Sequence, residues 1–126
     1  MSKPVIAAVN GVAAGAGASL AFACDLRVVA DTARFNLAFA NVALSCDTGA
    51  SHTLQRLVGR AKALELLYFP RTLSATDAVE RGIATKVVPG AELAIETAEQ
   101  TGSSAGRRPD DRARRHSPVG RLRCRK

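Results

Sequence analysis

The sequence predicts an α/β fold built around a parallel sheet. Two observations carry this. Short apolar runs at Val5–Val9, Leu26–Ala30 and Ile83–Val88 have the length and apolar continuity of buried strands. Longer stretches between and after them read as helices, set off by Gly, Pro and Asn-Gly breaks. The 126 residues suffice for one domain and not for two.

Taken in order, Val5–Val9 is the first strand and Asn10-Gly11 turns the chain. A loop of nearly pure Gly and Ala follows. Leu20–Cys24 then begins a short, fully buried helix. This order leaves free backbone N–H groups at a helix N-terminus, with side chains small enough for a ligand to approach closely. A carbonyl oxygen gaining negative charge suits such a place. Tight packing between two elements explains the same small residues equally well. No Lys-Ser or Lys-Thr follows the glycines, so the loop is not a phosphate-binding P-loop.

Leu26–Ala30 is the second strand, Asp31-Thr32 a turn, and Ala33–Leu37 a brief third strand. Ala38–Leu44 reads as loop or a short helical turn, and Ser45–Ser51 as a polar turn. Ser51–Leu57 is a helix ending at Gly59. Ala61–Phe69 is another, with Leu64, Leu67 and Tyr68 on one side and Pro70 as its stop. Ser74 and Asp77 form a capping-box start for a helix over Ala75–Arg81, and Gly82 suits the left-handed position after it. Ile83–Val88 is a strand closed by Pro89-Gly90. A last helix runs from Ala91 to about Gln100, with Leu93, Ile95 and Ala98 as its apolar members.

Charge divides the chain sharply. Residues 1–100 hold nine Lys/Arg and nine Asp/Glu, whereas residues 101–126 hold nine Lys/Arg and two Asp, so the net +7 lies entirely in the tail. The body, residues 3–100, lacks an electrostatic footprint for nucleic acid. The tail is expected to be disordered, because Val119 and Leu122 are its only bulky aliphatic residues. Its arginines give salt-sensitive phosphate affinity, but no aromatic residues interleave them for base stacking, so no specific nucleic-acid partner is expected. Its abrupt onset is also the pattern expected of a GC-rich gene translated out of frame. No stretch is long enough to span a membrane. The Ser2-Lys3-Pro4 start lacks the layout of a signal peptide, so a cytoplasmic location is expected. Cys24, Cys46 and Cys124 are odd in number and lack metal-ligand spacing, which fits reduced thiols and no metal site.

Read together, Lys3–Gly11, Gly15-Ala16-Gly17, Leu20–Leu26, Ala33-Arg34-Phe35, Asp47-Thr48-Gly49, Arg56–Gly59, Ala61–Leu67, Leu73–Ala78, Gly82-Ile83-Ala84 and Val87–Pro89 resemble the enoyl-CoA hydratase/isomerase (crotonase) superfamily, in its order and spacing across residues 3–100. The resemblance implies a partial crotonase-like spiral of β-β-α units, assembly as trimers or pairs of trimers, and acyl-CoA thioesters as substrates in fatty-acid metabolism. No cofactor is implied, since coenzyme A belongs to the substrate. It implies that the Ala16 backbone N–H is one of two oxyanion donors, with Gly15, Gly17, Ser19 and Phe39 around the substrate. Hydratases of the family carry two catalytic Glu residues. The matching positions here are Ser19 and Phe39, neither of which can do a carboxylate's acid–base work.

Asp47 lies where the family's isomerases and dehalogenase-like members place an Asp. The resemblance implies an isomerase-type site in which Asp47 shuttles a proton or attacks as a nucleophile. Asp before Thr-Gly-Ala-Ser is also a good turn or cap residue. The Ser51-His52 pair is not expected to form a nucleophile and base, because adjacent helical residues point apart. The resemblance begins in the middle of the family's domain and stops before its final helices. The expectation is therefore a chain with an open sheet edge and an uncovered apolar face, poorly soluble or dependent on a partner chain. The alternative to an isomerase is a non-catalytic remnant or half-protein completed by such a partner.

Overall fold

The computed structural model describes residues 3–105. β1 (Ile6–Val9), β2 (Val12–Ala14), α1 (Ala16–Ala23), β3 (Leu26–Ala30) and β4 (Arg34–Asn36) come first. A 3-10 turn at Ala40–Val42 leads to α2 (Ala50–Val58) and α3 (Arg60–Tyr68). β5 (Leu73–Ser74), α4 (Ala75–Glu80), β6 (Lys86–Val88), a 3-10 turn at Gly90–Glu92 and α5 (Leu93–Ala105) complete the described chain.

The strands form two small sheets. One has the order β1-β3-β6 and is parallel throughout, with Ile6 opposite Leu26 and Val28 opposite Lys86. The other has the order β2-β4-β5, with β2 parallel and β5 antiparallel to β4. β3 is central in the first sheet, which explains its unbroken apolar run from Val28 to Ala30, all buried. β1 lies at an edge of that sheet among the described residues. Between the sheets and helices, Phe22 of α1 stacks on Phe35 of β4 with ring centroids 5.8 Å apart. Ala18 and Ala21 of α1 share one core with Ala50 and Leu54 of α2.

Several local expectations need correction. Val12–Ala14 is a strand rather than part of a Gly/Ala loop, because β4 supplies its pairing partner. α1 starts at Ala16, ahead of Leu20, and is not fully buried: Leu20 is 67% exposed. Tyr68 faces solvent, and Ala63 and Leu66, one turn apart, form the buried face of α3. Ile95 and Ala98 are exposed, while Leu93, Glu96, Thr97 and Gln100 line the packed face at helical spacing. β6 begins only at Lys86, because the N–H groups of Ile83 and Ala84 both donate to the Ala78 carbonyl at 2.8 and 3.0 Å and close the end of α4. Gly82, at φ 75°, makes that turn possible. α5 runs to Ala105, past the expected boundary at residue 100. The rest of the basic tail, expected to be disordered, lies outside the described residues.

The capping box is present in both directions. Ser74 Oγ accepts from the Asp77 N–H at 3.1 Å, and Asp77 Oδ2 accepts from the Ser74 N–H at 3.2 Å. These hydrogen bonds hold the Asp77 carboxyl below its ordinary value.

Candidate oxyanion site

The site is built where β2 turns into α1. Gly15 is the N-cap, at φ 50° and ψ −119°, a conformation that a residue with a Cβ avoids. Its N–H donates to the Asn36 carbonyl at the end of β4, at 2.9 Å. Its own carbonyl accepts two hydrogen bonds from Ser19, one from the backbone N–H and one from Oγ, each 3.1 Å long. The N–H groups of Ala16 and Gly17 fall in the first turn, where no intrahelical acceptor is available. Both residues are exposed, at the positive end of the helix dipole. A Cβ added at Gly17 would meet nothing within 4 Å, so the space beside the donors is open.

Four of the candidate residues therefore come together with Ala16: Gly15, Gly17, Ser19 and Phe39. Ser19 is fully buried and its hydroxyl is engaged by the Gly15 carbonyl. Phe39 is buried, and its ring edge lies 3.8 Å from where a Gly15 Cβ would stand. Asp47 belongs to a separate feature, the turn leading into α2. That turn carries positive φ at Thr48 (52°) and Gly49 (77°). The Asp47 side chain is exposed and accepts from Thr48 Oγ1, and its carbonyl accepts from the Ala50 N–H at 3.1 Å. The packing of α2 on α1 relates this turn to the first turn of α1. His52 is exposed and contacts Arg56 on the next turn at 3.4 Å, not Ser51.

Two supports escaped sequence reasoning. The Asn36 carbonyl is invisible in a side-chain pattern. The second is Arg27, whose signal would have been a lone charge in an apolar strand. It is 5% exposed, and its Nη1 donates to the carbonyls of Cys24 at 2.6 Å, Ala21 at 3.3 Å and Phe22 at 3.4 Å. Its Nε donates to the Ile83 carbonyl. A cation thus sits at the negative end of α1 and ties that end to the turn after α4. Burial pulls the guanidinium below its ordinary value, opposed in part by the neighbouring Cys24 and Asp25.

Beside α1 lies an open groove of about 350 Å³ lined by β1, the Asn10-Gly11 turn, β2 and the outer face of α1. Val12, 76% exposed, and Leu20 present apolar surface there. Among the described residues, no cluster of three or more His, Cys, Asp or Glu could hold a metal ion. No helix among them is long and apolar enough to cross a membrane.

Residues 1–110 match the sequence model of the enoyl-CoA hydratase/isomerase family. The chain is 46% identical over 100 residues to 1,2-epoxyphenylacetyl-CoA isomerase of Escherichia coli K12, covering 79% of this chain and 38% of that protein. It is 40% identical over 102 residues to crotonyl-CoA hydratase of Syntrophomonas wolfei, covering 81% of this chain and 39% of that one. It superposes on the crystal structure of enoyl-CoA hydratase from Bacillus anthracis with a TM-score of 0.81 at 39% identity, covering 84% of this chain and 41% of that one. The chain spans about two fifths of the length of these relatives. On the family match and the shared fold, the chain belongs to the enoyl-CoA hydratase/isomerase family.

Proposed function

We propose that this chain acts on acyl-CoA thioesters and carries an isomerase-type half-site. The observation that supports this best is the first turn of α1. There the exposed residue Ala16 carries an N–H without an intrahelical acceptor and follows a glycine hydrogen-bonded through both its N–H and its carbonyl. A thioester oxygen that accepts this N–H is polarised, and the enolate formed by loss of an α-proton is stabilised by the same donor. Gly15 and Gly17 leave the approach clear of side chains, and Phe39 supplies apolar backing. Asp47 takes a proton from one carbon of the enoyl chain and returns it to another. The likeness to an isomerase favours this role, as do Ser19 and Phe39 at the positions of the two hydratase carboxylates. Asp47→Asn is expected to lower isomerase turnover by about 10²- to 10⁴-fold and leave acyl-CoA binding intact. Unchanged turnover would remove Asp47 from the mechanism.

A second reading is favoured by the open groove and its exposed apolar residues. Here the chain is a non-catalytic half, completed by a partner chain or a second copy that covers Val12 and Leu20. Turnover of an enoyl-CoA by the purified chain alone supports the first reading. Thioester binding without turnover, with turnover restored by an added chain, supports the second.

A further inference from the structure

We propose that Ser19 is a positioning residue for the oxyanion donor: its buried hydroxyl holds the Gly15–Ala16 peptide in the orientation that points the Ala16 N–H outward. This rests on the reading of Ala16 as a thioester donor. A peptide unit is planar, with its C=O and N–H on opposite sides, so whatever fixes the Gly15 carbonyl also fixes the Ala16 N–H. Two bonds from one residue converge on that carbonyl, the Ser19 N–H at 3.1 Å and Oγ at 3.1 Å. The first belongs to the helix. The second exists only because residue 19 carries a hydroxyl.

The need for a second restraint lies at Gly15. Glycine has the freest backbone, and its ψ rotates this peptide plane. Asn36 anchors the Gly15 N–H at 2.9 Å, which fixes the preceding peptide but not the one after it. Ser19 is fully buried, where solvent cannot compete for its hydroxyl. A carboxylate at this position would act on substrate. The serine acts on the helix instead, so the same position serves the same oxyanion indirectly.

The test uses the full chain with an acyl-CoA labelled with ¹³C at the thioester carbonyl, read by infrared difference spectroscopy. The wild-type chain is expected to lower the carbonyl stretching frequency on binding. Ser19→Ala is expected to bind with dissociation constant weakened by about tenfold or less, and to lose half or more of the frequency shift. Ser19→Thr, which keeps the hydroxyl, is expected to restore it. A full shift in Ser19→Ala overturns the proposal. Should the wild-type chain leave the frequency unmoved, the thioester reading fails by itself, and the positioning role is then decided without ligand. Ser19→Ala must in that case change the amide resonance and exchange rate of Ala16 while leaving those of Val28 and Val29 unmoved. An unchanged Ala16 amide overturns the proposal. Should Ser19→Ala fail to fold, Ser19→Cys keeps the volume with a much weaker donor and carries the same comparison.

Discussion

Gly15 and Gly17 flank the proposed donor, and the structure assigns them opposite responses to alanine. At Gly15, φ 50° and ψ −119° lie in a region closed to L-residues. The new Cβ would meet the Phe39 ring at 3.8 Å, an ordinary contact, so packing is not the obstacle. The cost is backbone strain of about 1–3 kcal/mol. Reduced freedom of the unfolded chain returns about 0.4–1 kcal/mol, leaving Gly15→Ala destabilised by about 1–2 kcal/mol. At Gly17 the backbone is helical and the space is open, so Gly17→Ala should gain up to about 1 kcal/mol of helix propensity. The two variants should therefore differ by about 1–3 kcal/mol in urea unfolding, or by roughly 5–20 °C in Tm for a domain of this size. Gly17→Ala should also weaken acyl-CoA binding while raising stability, because its methyl stands beside the donor. Equal stabilities for the two variants would refute the assignment of a strained N-cap at Gly15.

Two further predictions follow from the supports of α1 and α4. Arg27→Met removes the guanidinium from four carbonyls at once and should cost about 2–4 kcal/mol in urea unfolding, with Arg27→Lys recovering less than half, since an ammonium lacks the planar fork. Wild-type stability for Arg27→Met would show that water serves those carbonyls as well. Asp77 titrates below its ordinary value in the folded chain, so its contribution is present above pH about 4 and is lost as pH falls through the depressed folded value. Ser74→Ala should lower Tm at pH 7, and the gap to wild type should narrow near pH 3. A gap independent of pH would contradict the coupling of Asp77 to the cap.

Much of the fold was legible because punctuation residues sit at its joints. Gly59 separates α2 from α3, Pro70 follows α3, Ser74 and Asp77 open α4, and Gly82 closes it. What escaped was set by tertiary partners. Val12–Ala14 lacks a strong strand signal and becomes β2 only through β4. In α5 the pattern offered Ile95 and Ala98, but the packed face is continued by Glu96 and Thr97. Glu96 pairs with Lys86 of β6 at 2.8 Å, and Thr97 turns its hydroxyl onto the Leu93 carbonyl at 2.7 Å. At the site, the small residues and the turn into α1 announced a place for backbone donors. The hydrogen bonds that anchor Gly15, its N–H to the Asn36 carbonyl and its carbonyl from the Ser19 hydroxyl, involve a main-chain acceptor and a back-bonded side chain that residue types alone do not reveal.

On the proposed function, the first turn of α1 receives a thioester oxygen. This is tested most directly by titrating the ¹⁵N-labelled chain with an acyl-CoA and following its amide resonances. A saturable downfield movement of the Ala16 amide is expected, with smaller movement at Gly17 and none at the remote capping-box amide of Asp77. Saturable binding that leaves Ala16 unmoved, or that moves only the arginine-rich tail, would contradict it.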